Sequence, residues 1–154
     1  LAKAAGIFQG ERTIPVLLDY FEQLGSGDDF RRMCILDSLI FNPDRHYGNF
    51  GVMFDTETME PICMCPVFDN NRSLFPDLDQ DQLEHPDWYL QRCKPMLGKD
   101  FLITARALMT PEIRSDLKNM IGFQFSQHKR ITAPQERLDA LSEIINRQIK
   151  AILE

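Results

Sequence analysis

Within the stretch NPDRHYGNFG, Asp44, Arg45, His46 and Asn49 stand together directly after the apolar run MCILDSLIF, and a further carboxylate, Asp69, follows in PVFDNN. Asp44 and Asn49 are five positions apart, and Asp69 lies 20 beyond Asn49. A solvated loop needs no such set; phosphoryl transfer does. Moving a phosphoryl group between oxygens requires a group that orients a hydroxyl and takes up its proton, and oxygen donors that hold one or two Mg²⁺ ions against nucleotide phosphates. Mg²⁺ is a hard ion, so the Asp69 carboxylate and the Asn49 amide oxygen suit it, which leaves Asp44 for the hydroxyl. The bland alternative is that Asp44, Arg45 and Asn49 cap a helix end and a hairpin while Gly48 and Gly51 supply turn geometry. A second acidic signal beyond the hairpin, following an apolar residue, weighs against it.

The elements that must position these residues are mostly helical. TIPVLLDYFEQLG offers Thr13 as an N-cap, Pro15 in the first turn, apolar Val16, Leu17, Tyr20, Phe21 and Leu24, and Gly25 as a stop. SGDDFRRMCILDSLIF predicts a second, largely buried helix capped by Ser26 or Asp28. After the polar loop, FGVMFD and EPICMCPVFD are short, β-branched and aromatic, and flank the turn DTETME, which predicts a hairpin. The acidic, Pro-punctuated stretch from Asn70 to Gln91 reads as loop with one short helix near Trp88. Further on, Thr110, Pro111 and Gly122 bracket a helix, and TAPQERLDALSEIINRQIKAILE opens on a Thr132 to Gln135 capping-box pattern with an apolar face of Leu138, Leu141, Ile145, Ile149 and Ile152. The expected fold is mainly α with a small β-hairpin, one domain over residues 1–154.

NPDRHYGNFGVMFD followed by PVFDNNRSL resembles the C-terminal catalytic lobe of the bacterial HipA-like kinases, which have a protein-kinase-like fold, and DRHxxN is also similar to the catalytic loop of the phosphatidylinositol kinases. The likeness covers about thirty residues, Asn42 to Leu74. It implies Asp44 as catalytic base, Asn49 as a magnesium ligand and Asp69 as the principal one, with ATP as phosphoryl donor and a protein Ser or Thr hydroxyl as acceptor. His46 then supports charge development at the transferring phosphate, and Arg45 pairs with Asp69 or another carboxylate. Two departures stand out. Asp69-Asn70-Asn71 replaces the D-F-G of eukaryotic kinases, and no Gly-rich loop or strand lysine precedes Asp44, where Lys3, Gly6 and Gly10 make no such motif. The N-terminal lobe is thus absent from this sequence, and a chain starting LAKAAGIFQ reads as a fragment of a longer protein. A lipid or small-molecule kinase, or a non-catalytic regulatory module such as a toxin–antitoxin partner, shares the same signature.

The remaining composition narrows the partners. A net charge of −6 and a pI near 5.1 argue against direct binding to nucleic acid or an anionic membrane. No run approaches the roughly 20 apolar residues of a membrane span, and no secretory leader is apparent, so a cytoplasmic protein is expected. Cys34, Cys63, Cys65 and Cys93 lack paired C-x-x-C spacing and predict buried reduced thiols over zinc. Asp77, Asp79 and Asp81 suggest an EF-hand, but Gln82 stands at the required glycine and Trp88 at the required glutamate. His85 and His128 are expected at the surface.

Overall fold

The structure, a computed structural model, describes residues 13–130 and 132–154. Lys3, Gly6, Gly10 and the start of the chain lie outside the described residues. Among the described residues there are seven helices and one two-stranded antiparallel sheet: α1 (Ile14–Gln23), α2 (Gly27–Leu39), β1 (Val52–Phe54), β2 (Pro61–Met64), α3 (Gln80–Glu84), α4 (Asp87–Arg92), α5 (Phe101–Ala107), α6 (Pro111–Asn119) and α7 (Gln135–Leu153). The chain is therefore mainly α with a small β-hairpin.

The central element is α2, which packs against α1, α5 and α7. Its Phe30, Met33, Cys34, Ile35 and Leu39 are buried, as a helix covered on several sides requires. Leu17 and Phe21 of α1 reach the same core, and Phe21 stacks on Phe30 with ring centroids 5.1 Å apart. α1 ends where Gly25 adopts φ +75°, the left-handed conformation that glycine takes without a Cβ penalty. Val16, counted toward the apolar face, is instead exposed at the surface.

The hairpin is bound to the start of α2. The Met64 N–H donates to Ser26 Oγ at 3.0 Å, so the serine expected as a helix cap spends its side chain on the sheet. Val52 and Met64 are register partners on the face toward the core; Met53 pairs with Cys63 on the other. Cys63 and Cys65, expected buried, are only half-buried, because they alternate onto that outer face.

Two helices went unanticipated. α3 is closed by a capping box in which Asp79 accepts from the Gln82 N–H while Gln82 accepts from the Asp79 N–H. α5 is capped by Asp100, whose carboxylate accepts from the Leu102 and Ile103 N–H groups, and it lies along α2. Conversely the capping box expected at Thr132 does not form. α7 begins at Gln135 after Pro134, whose φ of −54° directs the chain into the first turn without a side-chain cap. Leu141, Ile144, Ile145, Ile149 and Ile152 carry its buried face.

Candidate functional site

The site is built outward from the last turn of α2. Asp37, buried in an otherwise apolar run, is followed by Phe41, which turns the chain at φ +52°. That conformation is costly for a side chain with a Cβ; the ring is held by Phe75 and Phe101, with centroids 5.2 and 5.6 Å away. Asn42, fully buried, donates from Nδ2 to Asp37 Oδ1 and accepts the Asp44 N–H on Oδ1. Asp44 is thereby fixed by its backbone: its carbonyl also accepts from the His46 N–H and from Asn49 Nδ2 at 2.9 Å.

Arg45 is the hub. Its side chain is 1% exposed, and each of its five N–H groups has an acceptor. Nε and Nη2 grip the two oxygens of Asp37 at 2.9 and 2.8 Å. Nη1 donates to the Asn49 carbonyl at 2.7 Å and to the Phe68 carbonyl at 2.6 Å, and Nη2 also donates to Asn70 Oδ1 at 2.5 Å. Of the partners expected for Arg45, Asp69 or another carboxylate, the structure shows another carboxylate, Asp37. Even so, the guanidinium reaches Asp69 from both sides, through the residues before and after it. One buried side chain thus draws together the loop carrying Asp44 and Asn49 and the segment carrying Asp69.

The three candidate residues differ in setting. Asn49 is buried; its NH₂ is committed to Asp44, which leaves the amide oxygen without a protein donor among the described residues. Asp44 is half-buried and Asp69 exposed, and neither carboxylate takes a hydrogen bond from another described residue. Asp69 has φ +57°, a conformation Asp tolerates better than most residues. Leu74 and Phe75 are also left-handed, at +59° and +53°; the Leu74 N–H donates to Ile40, and Arg137 of α7 donates to the Phe75 and Leu78 carbonyls. The segment after Asp69 is therefore pinned at both ends.

His46 is exposed at the rim, and its Nδ1 accepts the Gly48 N–H at 2.9 Å, so the proton of the neutral ring sits on Nε2. A side chain at residue 48 would start 2.8 Å from His46 Cε1, so the imidazole would have to move aside. One turn before Asp37, the Cys34 thiol is pushed far above its ordinary pKa by burial, with the Asp37 carboxylate adding to it, so it stays protonated and inert. His85 and His128 are exposed, as anticipated. A cavity of about 430 Å³ between α2 and residues 64–67 stops short of Asp69.

The sequence pattern missed Asp37, Asn42 and Asn70. For Asp37 a signal existed: an aspartate inside MCILDSLIF can be buried only with a partner. Among the described residues no group of three or more His, Cys, Asp or Glu side chains could hold a metal, and no helix is long and apolar enough to cross a membrane. Comparison of the chain with models of protein families, with curated proteins and with solved structures finds no match.

Proposed function

We propose that this chain is the C-terminal catalytic lobe of a HipA-like kinase that transfers the γ-phosphoryl group of ATP to a protein Ser or Thr hydroxyl. The observation that carries this reading is the Arg45 clamp, which makes one unit of the Asp44–Asn49 loop and the Asp69 segment. In this reading Asp44, fixed through its backbone and with a free carboxylate, orients the acceptor hydroxyl and takes up its proton. The Asn49 amide oxygen and the Asp69 carboxylate are hard oxygen donors. Two protein donors of this kind fit Mg²⁺, which keeps several waters and shares phosphate oxygens instead of filling an all-protein cage. When bound with ATP, Mg²⁺ neutralises charge on the phosphates. His46 presents Nε2–H from the rim, a donor for the charge that develops on the transferring group. Val67 and Phe68, exposed just before Asp69, are surface that a nucleotide base or an upstream lobe would cover.

The experiment is calorimetric titration with ATP and Mg²⁺ of this chain and of a version extended upstream, coupled to phosphate incorporation from labelled ATP. Binding is expected in the extended protein. There Asp44→Ala abolishes transfer and largely spares binding, while Asp69→Ala weakens the Mg²⁺-dependent part. Binding in neither protein, or both variants as active as the parent, overturns the reading in favour of a regulatory module.

A further inference from the structure

The outer face of the hairpin holds a set of soft donors that the phosphotransfer reading does not use. Met53 and Cys63 are register partners, and residues directly opposite on paired strands share a face. The ladder continues beyond β2, where the Cys65 N–H donates to the Gly51 carbonyl at 3.0 Å, so Cys65 falls on the same face as Cys63. Cys65 Sγ lies 3.5 Å from the place a Cβ of Gly51 would occupy. The bare glycine thus leaves the sulfur open on that side. Both thiols are free and half-buried, and Met53 is 47% exposed. Two thiols and a thioether therefore share one face of the hairpin, with Met53 open to solvent and both thiols partly so.

We propose that Cys63, Cys65 and Met53 bind a soft monovalent cation, Cu(I). Donor softness selects the ion: thiolate and thioether sulfur favour Cu(I) over hard cations, and zinc demands a closed set of four ligands. Among the described residues no His, Asp or Glu joins the two thiols to make a metal-holding group, which leaves zinc short of ligands and suits a low-coordinate ion. Spacing selects metal binding over a disulfide. Strand neighbours on one face have Cα atoms about 6.5–7 Å apart, at or beyond the upper end of disulfide geometry, with side chains that run side by side. A metal between two sulfurs at about 2.3 Å each spans a longer gap than an S–S bond. On binding, each S–H bond gives its proton to solvent as an S–Cu bond forms and Met53 Sδ donates a lone pair. Copper remains Cu(I), and no electron is transferred.

The test is an anaerobic titration of the full 154-residue chain with Cu(I) against the chromogenic chelator bicinchoninate. The expected result is one Cu(I) withdrawn per chain, lost in both Cys63→Ser and Cys65→Ser. Met53→Leu, a change at an exposed position, keeps the stoichiometry but yields the copper at a lower chelator concentration. Cys93→Ser, whose thiol faces the Phe41 carbonyl at 3.8 Å, titrates like the parent. Copper retained by the Cys63→Ser/Cys65→Ser double variant, an unaltered Met53→Leu, or an equal loss in Cys93→Ser would each overturn the assignment. Circular dichroism of every variant checks that the helices persist. The outcome is independent of whether the chain is a kinase lobe.

Discussion

Replacing Arg45 by Met removes the cation from a site where its side chain is 1% and that of Asp37 7% exposed. The Asp37 carboxylate is left with the Asn42 amide as its remaining side-chain donor, and the Asn49 and Phe68 carbonyls and Asn70 Oδ1 lose theirs. Breaking a buried ion pair from one side costs about 3–5 kcal/mol. Against a total domain stability of about 5–15 kcal/mol, that is a large share. With a urea dependence of about 2 kcal/mol per molar, the unfolding midpoint should fall by about 2 M. The control is Arg45→Met combined with Asp37→Asn. It removes the uncompensated charge while keeping an oxygen for Asn42, so the double variant should be more stable than the single by more than about 1 kcal/mol. The assay is equilibrium urea unfolding followed by circular dichroism. A single variant costing less than about 1 kcal/mol, or a double variant as unstable as the single, would refute the view of Arg45 as a buried hub.

Other positions test other parts of the fold. Gly98 has φ +93°, and a Cβ there would meet Thr104 Oγ1 at 2.6 Å and Ile14 Cδ1 at 2.9 Å, whereas Gly25, at φ +75°, opens onto empty space. Gly25→Ala should therefore cost about 1–2 kcal/mol in urea unfolding, from backbone strain alone, and Gly98→Ala measurably more. Gly48→Ala should displace the His46 ring and break its hydrogen bond, read as a shift of the ring resonances by NMR, at a stability cost of about 1 kcal/mol or less because the obstructing atoms belong to one exposed side chain. Burial would raise the pKa of Asp100, but the Lys94 ammonium and the Ile103 and Leu102 N–H groups outweigh it and hold the carboxyl below its ordinary value. A depressed folded pKa stabilises the protein above the unfolded value. That contribution should fade as pH falls from about 4 through the lower folded value, and Asp100→Asn, which keeps the cap, should remove this part of the acid dependence.

Much of the scaffold follows from local chemistry. The Thr110–Pro111 start and the DTETME turn carry their own geometry, and the helices of α1, α2 and α6 form close to where periodicity and caps place them. α5 was not legible because its stretch is only seven residues long and is stabilised by lying against α2, a contact that local pattern does not contain. The failed Thr132 cap has the opposite cause: the pattern was present, but Pro134 starts the helix by itself. In the candidate site, Asp44, Asn49 and Asp69 were visible as residue types with suggestive spacing. What joins them was not. Arg45 reaches acceptors up to 25 positions away, and the choice of Asp37 over Asp69 depends on which carboxylate the helix buries.

The same guanidinium bears on how the chain finds its fold. The hairpin is short, its strands span three and four residues, and short strands specify their pairing weakly. A slip of one residue in β2 would move the following backbone by about 3.3 Å. The Phe68 carbonyl and Asn70 Oδ1 would leave the reach of Arg45, and two buried donors would lose their acceptors. Arg45 thus acts as a proofreader of strand alignment: only one pairing of the hairpin lets the charge be sealed in, and misaligned forms are penalised by dry, unanswered N–H groups outside the strands themselves.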